Sequence, residues 1–187
     1  MLPSHLKITR IALGAAGRFG FALAGGYAVS AHGMGSRLSG DVDLFTDRND
    51  TFARLLVYGN DPGGEPDKLE MSADWRAHAP VMSPVGPVLH PDDAVANKMC
   101  ALFGRAEARD FLDVDAALLS GQYTRERLLE LAAAADPGFD PRAFADALGA
   151  LTQITDEDFD CYGLPAAELP AVRDRFAHWR RELTDTP

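Results

Sequence analysis

The stretch Leu23–Phe45, LAGGYAVSAHGMGSRLSGDVDLF, contains residue types that can bind phosphate and metal ions. A predicted strand leads into Gly25-Gly26, a short helix follows, and a second predicted strand carries Asp41 and Asp43. Glycines let the backbone approach a phosphate closely, and a helix N-terminus presents free N–H groups to an anion. Residues i and i+2 of a strand point to the same face, so Asp41 and Asp43 project together. The stretch therefore predicts a phosphate site beside a pair of carboxylates.

The carboxylate pair indicates a divalent metal ion, because two neighbouring carboxylates repel each other unless a cation lies near them. Oxygen ligands of this kind suit Mg²⁺ or Mn²⁺. Such a metal pair can bridge a triphosphate and activate a hydroxyl for in-line attack on the α-phosphate. A calcium-binding loop through Asp41, Asp43 and Asp47 is the main alternative. That loop fails at Thr46, where glycine is needed, and at Phe52, where a bidentate glutamate is needed.

The same stretch resembles the DNA polymerase β-like nucleotidyltransferase superfamily, whose mark is Gly-Gly/Ser, a helix and then Asp-x-Asp. Within the superfamily it is similar to the AbiEii/AbiGii-type toxin nucleotidyltransferases of bacterial toxin–antitoxin systems. Their first pattern is matched here by Gly25, Gly26, Ala28, His32, Arg37, Ser39, Asp41, Val42 and Asp43. A second match lies downstream, in Asn97, Lys98, Ala101, Leu102, Arg105, Arg109, Asp110 and Asp113.

The second motif supplies positive charge. A helix that ran from Asp92 without a break at Gly104 would place Lys98, Arg105 and Arg109 within about 40° of each other, at roughly 100° per residue. Three cations on one stripe would form a clamp for a triphosphate. A break at Gly104 would remove the stripe. The alternative is a solvated basic face whose cations pair with neighbouring acids, namely Glu107, Asp110 and Asp113.

The resemblance implies site residues. Those with catalytic roles are Asp41, Asp43, Lys98 and Asp110, of which the first two are the metal ligands. Those that contact the nucleotide are Gly25, Gly26, Arg37, Ser39, Lys98, Arg105 and Arg109. By this analogy Lys98 binds phosphates and Asp110 orients Arg109 or Lys98. The superfamily often has a third carboxylate on a neighbouring strand, for which Glu70 and Asp74 are both candidates.

Other positions have plainer interpretations. Arg37 has an ordinary surface ion pair as its alternative role. His32, on the short helix, is expected to be a packed and hydrogen-bonded histidine. The aromatic residues Trp75, Phe176 and Trp179 are expected to pack in the core or between helices.

We expect an α+β chain, with a polymerase β-like nucleotidyltransferase core over residues 1–91 (a small mixed sheet with flanking helices) and a C-terminal helical bundle over 92–187. Apolar patterning predicts strands over 19–24, 41–45 and 68–72, and an extended, irregular segment over 80–90. It predicts helices over 4–17, 27–34, 49–58, 92–103, 106–119, 124–135, 142–153 and 166–183. Residues 60–67 are expected to form a loop.

The net charge of −10 disfavours non-specific binding to nucleic acid, because affinity for phosphates depends on cationic contacts. Residues 1–110 carry 11 basic and 13 acidic side chains, whereas residues 111–187 carry 7 and 15. No apolar run is long enough for a transmembrane span, and no signal peptide is recognisable. Cys100 and Cys161 indicate neither a disulfide framework nor a zinc site. We therefore expect a cytoplasmic protein with no membrane partner.

The expected reaction is transfer of a nucleoside monophosphate from an NTP, with loss of pyrophosphate. The resemblance implies a toxin with a cognate antitoxin, the 3′ end of tRNA as acceptor and a pyrimidine NTP as donor. The alternatives are a protein hydroxyl, such as one on the antitoxin, or a small-molecule hydroxyl, such as one on an aminoglycoside. A non-catalytic binding module is disfavoured because both Asp41 and Asp43 are present.

Overall fold

The computed structural model of the chain describes residues 1–48, 54–59 and 67–185, with residues 54–59 described by their backbone alone. The chain divides into two compact units, Met1–Ala94 and Val95–Pro187. The first contains a mixed sheet with helices, and the second is helical. The predicted α+β class is confirmed, while the predicted domain boundary after residue 91 stays a prediction. None of the described helices is both long and apolar enough to cross a membrane.

The first unit is built on a six-stranded sheet that contains β1 (Ala22–Leu23), β2 (Asp41–Thr46), β3 (Arg54–Gly59), β4 (Asp67–Ala73), β5 (Val81–Ser83) and β6 (Gly86–Val88). The order of the strands in the sheet is β3-β4-β2-β1-β6-β5. Strand β2 runs parallel to β4 and antiparallel to β1, which in turn runs parallel to β6. Two antiparallel pairs, β3 with β4 and β5 with β6, form the outer parts of the sheet.

Two helices of the first unit precede β2, namely α1 (Pro3–Ala16) and α2 (Gly25–Ala31). A 3-10 turn over Gly17–Phe19 follows α1. The core of this unit joins α1 and α2 to the sheet through buried side chains that include Leu13, Ala28, Val42, Leu44, Leu69 and Met71. Every second residue of β2 is buried, as a strand with one apolar face requires.

Helix α3 (Pro91–Gly104) begins in the first unit and continues into the second. The later helices are α4 (Ala108–Leu119), α5 (Arg125–Ala135), α6 (Pro141–Gly149), α7 (Glu157–Asp160) and α8 (Leu169–Asp185), with a 3-10 turn over Ala150–Thr152. Polar caps explain two of the starts. The Thr124 hydroxyl accepts from the Arg127 N–H at α5, and the Asp140 carboxylate accepts from two N–H groups at α6.

Aromatic rings form the core of the helical unit. The Phe144 ring meets Trp179 edge-on with centroids 5.3 Å apart. Phe111 meets Phe176 edge-on with centroids 5.0 Å apart. Edge-to-face contact is a favoured geometry for aromatic pairs, and the predicted packing of Phe176 and Trp179 between helices is confirmed. The same prediction is wrong for Trp75, which is 51% exposed.

The structure corrects several of the predicted elements. The predicted helix over 49–58 is wrong over residues 54–58, which pair with β4 as strand β3. Their run Leu-Leu-Val-Tyr is rich in residues that favour strands, and cross-strand pairing outweighs the helical pattern. Residues 49–53, and residues 60–66 of the predicted loop, lie outside the described part of the chain, whereas Asp67, the last residue of that loop, begins β4. The extended segment over 80–90 is not irregular, since it folds into the β5–β6 hairpin.

Candidate active site

The parallel pairing of β2 with β4 brings polar side chains of both strands onto one face of the sheet. Asp41 lies opposite Lys68, and Asp43 lies opposite Glu70. All four are half-buried, whereas the residues that alternate with them, such as Val42 and Leu69, are buried. One face of these two strands is therefore apolar and packed, and the other presents three carboxylates and one ammonium group.

The Lys68 ammonium group lies among the carboxylates. Its Nζ is 3.2 Å from Glu70 Oε2 and 3.5 Å from Asp41 Oδ2. Burial lowers the pKa of Lys68, but the hydrogen bond to Glu70 and the charges of Asp41, Glu70 and Asp43 outweigh it, so this pKa lies above its usual value. The face is thus arranged to hold positive charge.

The structure separates the two candidates for a third carboxylate. Glu70 is the register partner of Asp43, whereas Asp74 comes four residues later, beyond the end of β4. The Asp74 carboxylate accepts a hydrogen bond from the Trp75 N–H at 2.8 Å. Lys68 is a further residue of the site that the motifs do not include, and its only signal in the sequence is its position two residues before Glu70, which puts both on one strand face.

The backbone conformation of Gly25 and its contact with Asp43 both require glycine at this position. Its φ is +60°. This conformation favours glycine. A Cβ at this position would overlap the Asp43 carboxylate and lie 2.8 Å from its Cγ. The Ala24 N–H also donates to the Asp43 carbonyl oxygen at 2.8 Å. The start of α2 and the middle of β2 are therefore in direct contact.

Gly26 makes room for the next pair of predicted residues. A Cβ there would lie 2.6 Å from Arg37 Nη2 and 3.3 Å from Ser39 Oγ. The Ser39 hydroxyl donates to Asp41 Oδ1 at 3.2 Å, and Arg37 Nη1 donates to the Leu38 carbonyl oxygen at 2.9 Å. The first unit thus brings together six predicted site residues: Gly25, Gly26, Arg37, Ser39, Asp41 and Asp43.

A buried polar network supports this cluster from α1. The Tyr27 hydroxyl donates to the Ser39 carbonyl oxygen at 3.3 Å and lies 2.6 Å from His5 Nδ1. His5 Nε2 lies 3.1 Å from Asp67 Oδ1 at the start of β4. Burial raises the pKa of Tyr27, and the charge of Asp41 adds to the rise, so the phenol stays neutral at physiological pH. No local sequence pattern indicates this network, because its members are far apart in the chain.

His32 has the packing role predicted for it. Its Nε2–H donates to the Leu89 carbonyl oxygen at 2.7 Å, which joins the end of α2 to the residue after β6. This bond fixes the end of α2 opposite to the one where Gly25 meets Asp43.

In the second unit, the predicted stripe of three cations does not form. Helix α3 ends at Gly104, and α4 begins only at Ala108. Between them Ala106 has a φ of +51°. A positive φ lies outside the right-handed helical region, so a continuous helix cannot pass through this residue. Arg105 therefore lies outside both helices, and the projection through Gly104 is wrong.

The three cations are instead held by acids. Lys98 Nζ lies 3.0 Å from Asp113 Oδ2, with both side chains buried. Arg105 donates to both oxygens of Asp110, at 2.8 and 2.9 Å, and Arg109 Nε lies 2.9 Å from Glu107 Oε2. These are the three acids that the alternative interpretation, a basic face paired with acids, named. The Lys98–Asp113 pair is nevertheless buried and not solvated as that interpretation expected. Asp110 holds Arg105, not the predicted Arg109 or Lys98.

Two solved structures are similar to this chain, and the first of them supports the fold described above. The crystal structure of JHP933 from Helicobacter pylori is similar, with a TM-score of 0.56 and 15% identity, over 97% of this chain and 92% of that one. A second H. pylori structure, described as that of a candidate nucleotidyltransferase, has a TM-score of 0.48 and 15% identity, over 89% of each chain. The comparison with curated proteins gives no match.

The family is established by sequence. The model of the family "Nucleotidyl transferase AbiEii toxin, Type IV TA system" matches residues 58–186. The chain therefore belongs to this family of nucleotidyltransferase toxins. The matched range contains β4 and the second motif, while the motif from Gly25 to Asp43 lies before it.

We predict that Gly25→Ala destabilises the protein more than Gly33→Ala does. Gly33 also has a positive φ, +75°, but among the described residues no atom beyond its own chain neighbours lies within 4 Å of an added Cβ. Alanine there costs only backbone strain, of about 1–2 kcal/mol. At Gly25 the overlap with Asp43 adds to that strain. Denaturant unfolding of both variants measures the difference. Equal losses would show that the contact with Asp43 does not constrain this position.

We predict that Lys98→Met and Asp113→Asn each lower the free energy of unfolding by about 3 kcal/mol or more, because each leaves a buried charge without its partner. The double variant should lose less than the sum of the two. The exposed pair Arg127–Glu130 is the matched control, and Arg127→Met should cost at most about 1 kcal/mol. Additive losses at Lys98 and Asp113 would contradict the pairing.

Proposed function

We propose that this chain is a metal-dependent enzyme that transfers a nucleoside monophosphate from an NTP to the 3′ end of tRNA. Membership of the toxin family supports the reaction class. The observation that carries the proposal is the cluster of Asp41, Asp43 and Glu70 on one sheet face, with the Lys68 ammonium group among them. Carboxylates gathered in this way, beside a glycine that clears space for one of them, fit a hard divalent cation.

Asp41 and Asp43 are the proposed ligands of Mg²⁺ or Mn²⁺, with Glu70 as the third carboxylate. A bound divalent ion would polarise the triphosphate and favour the deprotonated form of the attacking hydroxyl. Ser39 holds one Asp41 oxygen through its hydroxyl, and Gly25, which has no Cβ, leaves room for the Asp43 carboxylate at the start of α2. These contacts pre-organise the two ligands, which lowers the cost of assembling the site.

Positive charge for the triphosphate is proposed to come from both motifs. Arg37 lies against Gly26, so its guanidinium group is next to the backbone that we propose contacts phosphate. Lys98 is proposed to bind phosphate, with Asp113 setting its position. Arg105 and Arg109 are proposed as further contacts, and Asp110 is proposed to act through Arg105, which it holds with two hydrogen bonds.

The acceptor is proposed from the family pattern. With a net charge of −10, tRNA has to be held by local basic groups. An acidic chain is also compatible with a protein acceptor, such as the cognate antitoxin that the family implies as a partner, and with a cationic aminoglycoside. The experiment below distinguishes these two acceptors from tRNA.

The deciding experiment incubates purified protein with total tRNA, Mg²⁺ and each α-³²P-labelled NTP separately. We expect label in tRNA from one or two NTPs, a pyrimidine NTP among them, and no transfer by Asp41→Asn or Asp43→Asn. Asp47→Asn, which changes an exposed carboxylate just after β2, is the matched control and should keep full activity. Omission of Mg²⁺ and Mn²⁺ should abolish labelling.

Other outcomes of this experiment reassign the acceptor or reject the proposal. Label in the protein itself, or in an added antitoxin, would move the acceptor to protein, and label on an added aminoglycoside would move it to a small molecule. Labelling that persists in both aspartate variants would place the chemistry elsewhere. If no NTP binds in the presence of Mg²⁺, the chain is not a nucleotidyltransferase.

We also predict that Lys68→Met strengthens binding of Mn²⁺ by about tenfold or more, because it removes a positive charge from beside the proposed ligands. Electron paramagnetic resonance of free Mn²⁺ measures the affinity directly. Lys7→Met, at an exposed position on α1, is the control and should leave it unchanged. Weaker binding by the Lys68 variant would show that this lysine organises the carboxylates and does not compete with the ion.

A further inference from the structure

A second group of possible ligands lies in the first unit, at the start of α3. One ligand atom from each of His78, His90 and Asp92 lies within 4.8 Å of the others. His90 directly precedes α3, Asp92 is in its first turn, and His78 belongs to the segment between β4 and β5. The rings of His78 and His90 stack, with centroids 4.3 Å apart and planes inclined by 23°.

Asp93 orients His78. Its buried carboxylate accepts hydrogen bonds from the backbone N–H groups of Ala77 and His78, both at 2.9 Å. The same carboxylate lies 3.3 Å from His78 Nδ1. A carboxylate on Nδ1 directs the Nε2 lone pair outward, and this arrangement is the usual support for a histidine that binds a metal ion.

The segment that carries His78 is held at several other points. The Asp74 N–H donates to the Thr46 carbonyl oxygen at 2.8 Å. Arg76 donates to the Gly20 carbonyl oxygen at 3.0 Å and to Asp47 Oδ1 at 2.6 Å. His78 is therefore presented by an anchored backbone, although its own ring is on the surface.

The local charge favours a cation. A helix N-terminus by itself repels positive charge, but the first turn of α3 contains both Asp92 and Asp93. Two imidazoles and a carboxylate suit zinc and neighbouring transition metals, whereas Mg²⁺ prefers oxygen ligands alone. The ligand set thus differs in class from the carboxylates on β2 and β4.

We propose that His78, His90 and Asp92 bind a divalent transition-metal ion of the Zn²⁺ type, with Asp93 as the residue that positions His78. Tetrahedral zinc with bonds of about 2.0–2.2 Å needs ligand atoms about 3.3 Å apart, so the three side chains must close by up to about 1.5 Å. His78 is exposed, so its ring has room to move toward the other two ligands, which are half-buried. Three protein ligands leave a coordination position for water or another ligand.

The test is calorimetric titration of Zn²⁺ alone into protein without a polyhistidine tag. It is done in the Asp41→Asn/Asp43→Asn background, so that the acidic sheet face contributes little. We expect one Zn²⁺ per chain. His78→Gln and His90→Gln should each weaken binding by more than about 100-fold, and Asp93→Asn by about 10–100-fold. His178→Gln, at an exposed histidine of α8, is the control and should bind as the parent does.

The Asp92 N–H donates to His90 Nδ1 at 3.2 Å, and Zn²⁺ binding at either ring nitrogen breaks this bond, because one nitrogen then binds the ion and the other carries the proton. His90→Gln removes the same bond and so affects the start of α3. The exposed His78 is therefore the deciding position, and circular dichroism should show that His78→Gln keeps the fold. Absorption of the Co²⁺-loaded protein should lack a thiolate charge-transfer band, which excludes Cys100 and Cys161 as ligands. No Zn²⁺ binding, or binding that His78→Gln leaves unchanged, would overturn the proposal.

Discussion

The candidate site of the first unit depends on the parallel register of β2 with β4. A shift of one residue in either strand would turn its polar side chains to the opposite face and its apolar ones to this face. In the observed register Asp43 lies opposite Glu70, and Asp41 lies opposite Lys68. Burial of the apolar alternates on the opposite face enforces this register. The hydrophobic core therefore decides which charged groups meet.

The start of α2 depends on the same register. Because Asp43 occupies the space beside position 25, only glycine fits there, and the positive φ of Gly25 lets the chain turn from β1 into α2. Tyr27, in the first turn of α2, extends the arrangement to α1 and to the start of β4 through His5 and Asp67. A substitution at any of these positions should thus alter the positions of the Asp41 and Asp43 carboxylates, even when the substituted residue carries no charge.

The sequence was informative where a local pattern and a core face coincided. Strand β2 could be predicted because Val42 and Leu44 alternate with the two aspartates, and alternation is itself the mark of a half-buried strand. The role of Lys68 could not be predicted in the same way, because Asp41 and Asp43 are on a different strand. The sequence of neither strand shows the register in which β2 and β4 pair. The same limit applies to His78 and His90, which are twelve residues apart and meet only through the fold.

The second motif shows why residue types alone do not define a clamp. The sequence contains the three cations, but Gly104 and the left-handed Ala106 end α3 before the stripe can continue. Each cation then has an acidic neighbour, and the free-energy cost of breaking each pair depends on how deeply the pair is buried. Breaking the buried Lys98–Asp113 pair leaves a charge that water cannot reach, whereas an arginine half in solvent loses little when its partner is removed. Loss of activity in a Lys98 variant is therefore evidence for a catalytic role of Lys98 only when the loss persists after Asp113 has been neutralised as well. The double variant no longer contains an unpaired buried charge, but it still lacks the proposed phosphate contact.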